Sequence, residues 1–283
     1  MTVRIVTDST CDLPAEITKS LKICVVPLYV RIGNHDFLDG IDISREEFYE
    51  KLLFYEDYPT TAVPSPAKIR SLYQTLYDEG ATEILSIHIS ASLSGVMDIA
   101  QSAAQDTSFI TVTVLDSQSL SMGTGFLVQK AAQLAQEGRS VKEILPILED
   151  QIKRTHVWAA LDSMKYLRKS GRMNRFVSTI GDLLQIKPIL KMHQGISGIE
   201  KERTKKNAIQ HLINKIELLN PFEKLALLYS GSRGQLQLLQ SHITGLFPEK
   251  EILYGIVNPV LGAHLGSEVL GFACVQKEKQ EPI

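Results

Sequence analysis

Apolar residues fall into short runs along the chain, and in the first half these runs alternate with helix-period patterns. Residues 3–7 form a strand-like run that stops at Asp8-Ser9-Thr10, and Pro14 then opens a helix where its missing N–H costs nothing. Residues 23–30 read as a second strand. Ser44-Arg45-Glu46-Glu47 has capping-box spacing ahead of a helix reaching about Phe54, and Ser65-Pro66 starts another that ends near Gly80. Residues 84–89 and 109–115 are buried-strand patterns, with helices after Gly95, Gly123 and Ser140. Such alternation predicts βαβ units around a parallel sheet.

Near residues 155–162 the pattern changes. Residues 157–161 predict a strand, and a short helix follows that stops at Gly171. Residues 188–192 and 196–200 pair as a hairpin about His193-Gln194-Gly195. A helix over about 204–218, a strand at 225–229, a helix from Gly234 and strands near Ile252 and Val269 complete the chain. The expected architecture is α/β in two domains: an N-terminal parallel-sheet domain over 1–156 and a C-terminal α+β domain over 157–283. No repeat, low-complexity stretch or long linker interrupts them, so the two should pack closely.

Composition narrows the class. At 283 residues and 44% hydrophobic content the chain can bury a large core. A charged fraction of 22% and a formal net charge of −2 argue against a nucleic-acid binder. Cys11, Cys24 and Cys274 have no metal-ligand spacing and read as small hydrophobes in a reducing compartment. The N-terminus runs into a strand pattern without a secretory h-region, and no apolar run approaches the roughly 18 residues of a membrane span. The cytoplasm is the expected location.

Ligands of open parallel sheets bind beyond the carboxyl ends of the strands. Three hydroxyl-rich segments occupy such ends: Asp8-Ser9-Thr10, Ser90-Ala91-Ser92-Leu93-Ser94-Gly95 and Asp116-Ser117-Gln118-Ser119. The second opens a helix, whose free N–H groups suit an anion; equally, Ser92 or Ser94 is an ordinary N-cap. His264 lies in Asn258-Pro259-Val260-Leu261-Gly262-Ala263-His264-Leu265-Gly266-Ser267, which reads as irregular. It either orients a hydroxyl or an anion or is a surface-loop histidine. Arg203, in a basic cluster from Lys201 to Lys206, and Arg172, after Gly171, are solvated charges on spacing alone. No histidine pair has zinc spacing, and no stretch fits a P-loop. Gly123-Thr124-Gly125 has Val128 where a dinucleotide fingerprint wants glycine, so those glycines are expected to let a helix start pack closely. Leu93-Ser94-Gly95 is not a nucleophile elbow, which counts against an esterase.

An ordered set of short motifs adds to this. It runs from Thr7-Asp8-Ser9-Thr10-Cys11-Asp12-Leu13-Pro14 through Val26-Pro27-Leu28, Thr61-Ala62-Val63-Pro64-Ser65 and Ser90-Ala91-Ser92-Leu93-Ser94-Gly95 to Asp116-Ser117. Gly171-Arg172, Ile186-Lys187-Pro188-Ile189-Leu190, Arg203-Thr204 and the Gly262-to-Gly266 segment around His264 follow. Together they resemble the DegV family across essentially the whole chain.

The resemblance implies a two-domain α/β protein holding a long-chain fatty acid between its domains. It implies the lipid-binding subunit of a bacterial fatty acid kinase, without catalysis, cofactor or metal of its own. A separate ATP-dependent kinase would phosphorylate the carboxylate for phospholipid synthesis, with at most transient membrane contact. Carried over by position, Thr61, Ser94, Gly95 and His264 surround the carboxylate, and Arg203 and Arg172 face the kinase or its phosphate. The chain departs from the family pattern at Ala62-Val63, at Val96 and at Ser267-Glu268. Two alternatives stand beside this reading: a lipid hydrolase using Ser94 as nucleophile and His264 as base, and a regulatory lipid-binding module.

Overall fold

The computed structural model describes residues 2–176, 186–231, 234–243 and 245–278. Strands β1 (Val3–Asp8) and β2 (Cys24–Val26) are joined by helix α1 (Ala15–Ser20). The chain then leaves that sheet. Strands β3 (Tyr29–Ile32) and β4 (His35–Leu38) and, after α2 (Arg45–Lys51), β5 (Thr60–Ala62) form a separate antiparallel sheet ordered β4-β3-β5. Helix α3 (Pro66–Asp78), β6 (Glu83–His88), α4 (Val96–Gln105) and β7 (Thr111–Asp116) complete a parallel sheet ordered β2-β1-β6-β7. The expected βαβ pattern is therefore present, with the hydroxyl-rich segments at the carboxyl ends of β1, β6 and β7.

Helices α5 (Met122–Gln136) and α6 (Val141–Arg154) lead to the third sheet. It contains β8 (Thr155–Leu161) and, after α7 (Lys165–Lys169) and α8 (Met173–Phe176), the hairpin β9 (Lys187–His193) and β10 (Ile196–Glu202). Helix α9 (Lys205–Leu219), β11 (Phe222–Tyr229), α10 (Gly234–Ile243), β12 (Leu253–Ile256), α11 (Pro259–Leu265) and β13 (Val269–Gln276) follow. The sheet order is β10-β9-β8-β13-β11-β12; β11 and β12 are parallel and the other neighbours antiparallel.

Three local expectations are corrected. The run 23–30 is two strands in two sheets, because Pro27 has no N–H for the ladder and Leu28 N donates to Ser9 Oγ (3.2 Å) instead. Helix α2 stops at Lys51 rather than near Phe54, which is exposed. The segment around His264 is not irregular but a helix. Asn258 caps it by accepting from Leu261 N (2.9 Å), and Pro259 sits in its first turn, where no N–H is needed.

The halves share one core. Its largest cluster joins Leu85 and Ile87 of β6, Phe126 and Leu127 of α5, Val157 and Leu161 of β8, and Ala273 and Val275 of β13. Helix α5 is buried all round in its first two turns, between β1 on one side and β8 and β13 on the other. The glycines there permit this. A Cβ on Gly123 would lie 2.1 Å from Ser119 Oγ, and one on Gly125 would lie 2.5 Å from Cys11 O. The three cysteines are free thiols; Cys11 and Cys274 are buried and Cys24 half-buried.

Candidate functional site

A cavity of about 390 Å³ lies where the carboxyl edge of the parallel sheet meets β5, α7 and α11. Most of its wall is apolar. Leu28 precedes β3, Ile89 and Leu93 follow β6, Leu167 comes from α7, and Val260, Leu261 and Leu265 come from α11. The polar residues on the wall are Thr10, Thr61, Ser94, Arg172 and His264, with Gly95 beside Ser94.

Thr61 is the middle residue of β5, in register with buried Val30 of β3. His264 lies in the last turn of α11, and its Nε2 is 3.0 Å from Thr61 Oγ1. That bond has two arrangements with different consequences. If the threonine donates, its oxygen can only accept from the cavity. If Nε2–H donates, the threonine hydrogen is free to point at an acceptor. An anion in the cavity therefore selects the Nε2–H form.

Ser94 and Gly95 form the turn between β6 and α4. Gly95 itself is the capping position, and Ser94, one residue earlier, accepts from Val96 N (3.3 Å). Ser92 is committed to Ser90, with the two hydroxyl oxygens 3.0 Å apart. Ser94 thus both caps the helix start and lines the cavity.

Behind the wall, Asp12 holds α11 in place. Its Oδ1 accepts from Asn258 N and Nδ2 (both 3.0 Å), its Oδ2 accepts from Ser121 Oγ (2.6 Å), and Arg45 lies 3.1 Å away. Arg45 also donates to Ile256 O. Burial pushes the Asp12 carboxyl up, opposed by Arg45, Ser121 and Asn258. Because Asn258 also caps α11, this knot sets the position of the helix that carries His264.

A second buried chain supports Thr10. The Tyr73 hydroxyl donates to Ser86 Oγ (3.0 Å), Ser86 Oγ is 2.8 Å from His88 Nε2, and His88 Nδ1 donates to Asp8 Oδ2 (3.0 Å). Asp8 also accepts from Thr10 N, Thr10 Oγ1 and Ile89 N. Burial alone would raise the Asp8 carboxyl; His88, Thr10 and the Ile89 N–H outweigh it and hold it below its ordinary value. Asp8 thereby fixes two residues of the cavity wall, Thr10 and Ile89.

Thr61, Ser94, Gly95, His264 and Arg172 are brought to this one cavity. Arg203 is not on its wall; it is exposed, immediately after β10. Nearby, Lys205 pairs with Glu268 (2.9 Å), one of the residues departing from the family pattern. Sequence reasoning missed the Asp8–His88 and Asp12–Asn258 networks. The available signal was Ser86 and His88, two polar residues on one face of an otherwise apolar strand. Among the described residues no group of His, Cys, Asp or Glu could hold a metal ion, and no helix is long and apolar enough to cross a membrane.

A family model described as "Uncharacterised protein, DegV family" matches residues 2–277. A DegV domain-containing protein of Listeria innocua is 32% identical over 273 residues, covering 95% of this chain and 96% of that protein. One of Staphylococcus aureus is 30% identical over 287 residues, covering 98% and 99%. Among solved structures, a DegV family protein from Thermus thermophilus, described by its fatty acid binding, superposes with a TM-score of 0.88 at 30% identity over 98% of this chain and 100% of that one. DegV of Bacillus subtilis, described as a fatty acid binding protein, gives 0.87 at 27% identity, covering 98% and 100%.

Proposed function

Because the chain belongs to the DegV family, we propose that its cavity takes a long-chain fatty acid, with the carboxylate at Thr61, Ser94, Gly95 and His264. One observation carries this reading: a largely apolar cavity whose wall holds a threonine–histidine pair 3.0 Å apart beside a serine at a helix start. The volume of about 390 Å³ falls within the range of roughly 300–1,000 Å³ usual for small-molecule sites. The fatty acid binding by which the Thermus and Bacillus relatives are described supports the same ligand class.

The two ends of such a ligand contribute differently. Burying an acyl chain gives about 0.8 kcal/mol per methylene, whereas a neutral hydrogen bond nets only about 0.5–1.5 kcal/mol. The tail supplies the affinity and the head contacts fix where the carboxylate sits. Thr61 and Ser94 can donate hydroxyl hydrogens to it, and the Nε2–H form of His264 frees the threonine hydrogen for this purpose.

The chain's role is then to present that carboxylate in the cytoplasm to a separate ATP-dependent kinase. A carboxylate oxygen would bond to the γ-phosphorus as ADP leaves, giving an acyl phosphate for phospholipid synthesis. Arg172, on the cavity wall, suits the incoming phosphate, and exposed Arg203 suits the partner's surface. The deciding experiment is organic extraction of the purified protein with mass spectrometry, followed by uptake of added fatty acid. A co-purifying or acquired acyl chain is the expected result; no acyl chain and no uptake would sink the reading. Acyl phosphate production on adding a fatty acid kinase and ATP tests the presentation role separately.

A further inference from the structure

Resting on the carboxylate site proposed above, we infer that Tyr166 is a positioning residue that sets the spacing between Thr61 and His264. The two partners lie 203 residues apart in the chain, each on a short element. Strand β5 is three residues long and α11 seven. Tyr166, on α7, touches what holds each of them.

On one side its ring meets Tyr58 edge to face, with centroids 5.5 Å apart and planes at 66°. Tyr58 is tied to β5 through buried Pro59, whose ring fixes φ, so displacement of Tyr58 carries directly to Thr60 and Thr61. On the other side the Tyr166 ring lies on Gly266, two residues past His264; a Cβ there would be 2.6 Å from Tyr166 Cδ2. Gly266 closes the last turn of α11 by donating to Gly262 O (2.8 Å). The ring is therefore a spacer between the strand bearing Thr61 and the helix end bearing His264.

Helix α7 grips the spacer's neighbour as well. The ammonium groups of Lys165 and Lys169 lie 5.4 and 5.5 Å from the centroid of the Tyr58 ring, within cation–π range. Leu167, next to Tyr166, lines the cavity, and its carbonyl accepts from Arg172 N (3.1 Å). One short helix thus aligns the head-group pair, forms part of the apolar wall and sets where Arg172 begins.

The test compares palmitic acid with methyl palmitate, by displacement of a fluorescent fatty acid, in the wild type, Tyr166→Ala and Tyr166→Phe. The acid uses the aligned pair as an anion and the ester does not, while both use the wall. Tyr166→Ala is expected to lower the acid-over-ester affinity ratio about tenfold, the factor that loss of one hydrogen bond to a charged group brings. Tyr166→Phe keeps the ring and should keep the ratio. The His264 imidazole nitrogen shifts, assigned by comparison with His264→Asn, should move in Tyr166→Ala and not in Tyr166→Phe. Should Tyr166→Ala fail to fold, Tyr58→Ala removes the other ring and carries the same expectation. Equal losses for acid and ester in the alanine variant would reduce Tyr166 to general support of the cavity and overturn the inference. A wild type with no preference for acid over ester would instead overturn the carboxylate site on which it rests.

Discussion

Replacing Asp39 with asparagine should change the stability of this protein in a direction that reverses with pH. Asp39 follows β4, is only 5% exposed, and has one carboxylate oxygen, Oδ2, buried without a hydrogen-bond partner. Burial pushes its carboxyl up to about 7; Ser9 and Arg45 pull it down, and Asp12 and Asp8 push it up further. In the unfolded chain the group titrates near its ordinary value, 3.8. The folded protein therefore holds a proton that the unfolded chain has lost between those values, and stability falls as pH rises from about 4 to about 7. At about 1.4 kcal/mol per pH unit, the cost approaches about 4 kcal/mol above neutrality, and about 3 kcal/mol of it develops between pH 5 and pH 8. The asparagine keeps an acceptor for Ser9 and cannot ionise, but it buries an amide hydrogen pair where Oδ2 stood, at about 1–3 kcal/mol. That second term does not depend on pH. Urea denaturation of both proteins at pH 5, 6, 7 and 8 gives the quantity needed, the unfolding free energy of the variant minus that of the wild type. It is expected to rise by about 3 kcal/mol from pH 5 to pH 8. A difference flat across that range would refute the reasoning, since every other titrating group is common to both proteins.

Thr61→Ala and Ser94→Ala should each retain bound acyl chain by mass spectrometry yet form acyl phosphate at least about tenfold more slowly with a fatty acid kinase, the head contact being lost and the tail contact kept. Gly125→Ala puts a Cβ 2.5 Å from the Cys11 carbonyl; overpacking of about 1–3 kcal/mol should lower the melting temperature by several degrees in calorimetry. Asp8 runs opposite to Asp39: its carboxyl is held low in the folded state, so its contribution is present above about pH 4 and lost as pH falls through the folded value. The stability deficit of Asp8→Asn, measured by denaturant at pH 7 and again below pH 4, should accordingly shrink on acidification.

Much of the parallel sheet is legible from periodicity, because β1, β6 and β7 are short runs of mainly apolar and β-branched residues that end in hydroxyl-rich segments. The small β4-β3-β5 sheet is not. Strands β4 and β5 are four and three residues long with polar side chains, and they exist through pairings such as Val30 with Thr61, 31 residues apart in the sequence. The helix around His264 was hidden for a related reason. Its boundary depends on Asp12 receiving Asn258, a contact spanning 246 residues. Family resemblance supplied Thr61, Ser94, Gly95 and His264, and tertiary structure gathers them at one cavity; the apolar wall could not be read beforehand because it draws on many separate elements. Arg203 matched a motif equally well but stands away from the wall, since a motif fixes residue type and not the face on which the fold leaves it.

Helix α5, buried all round in its first turns and packed against strands of the four-stranded and six-stranded sheets, constrains how a ligand of any kind could reach the cavity. A hinge needs an interface that can part, and here the two sheets are cast around a common pillar. Parting them would expose Phe126, Leu127 and Val157 together, which is unfolding rather than opening. The layers outside the pillar are thin by comparison: a three-stranded sheet of very short strands, and α7 with α8, nine helical residues in all. Traffic through this cavity should therefore proceed by lifting its rim while its frame stays whole. Amide exchange near β5 and α7 would then quicken independently of exchange in α5.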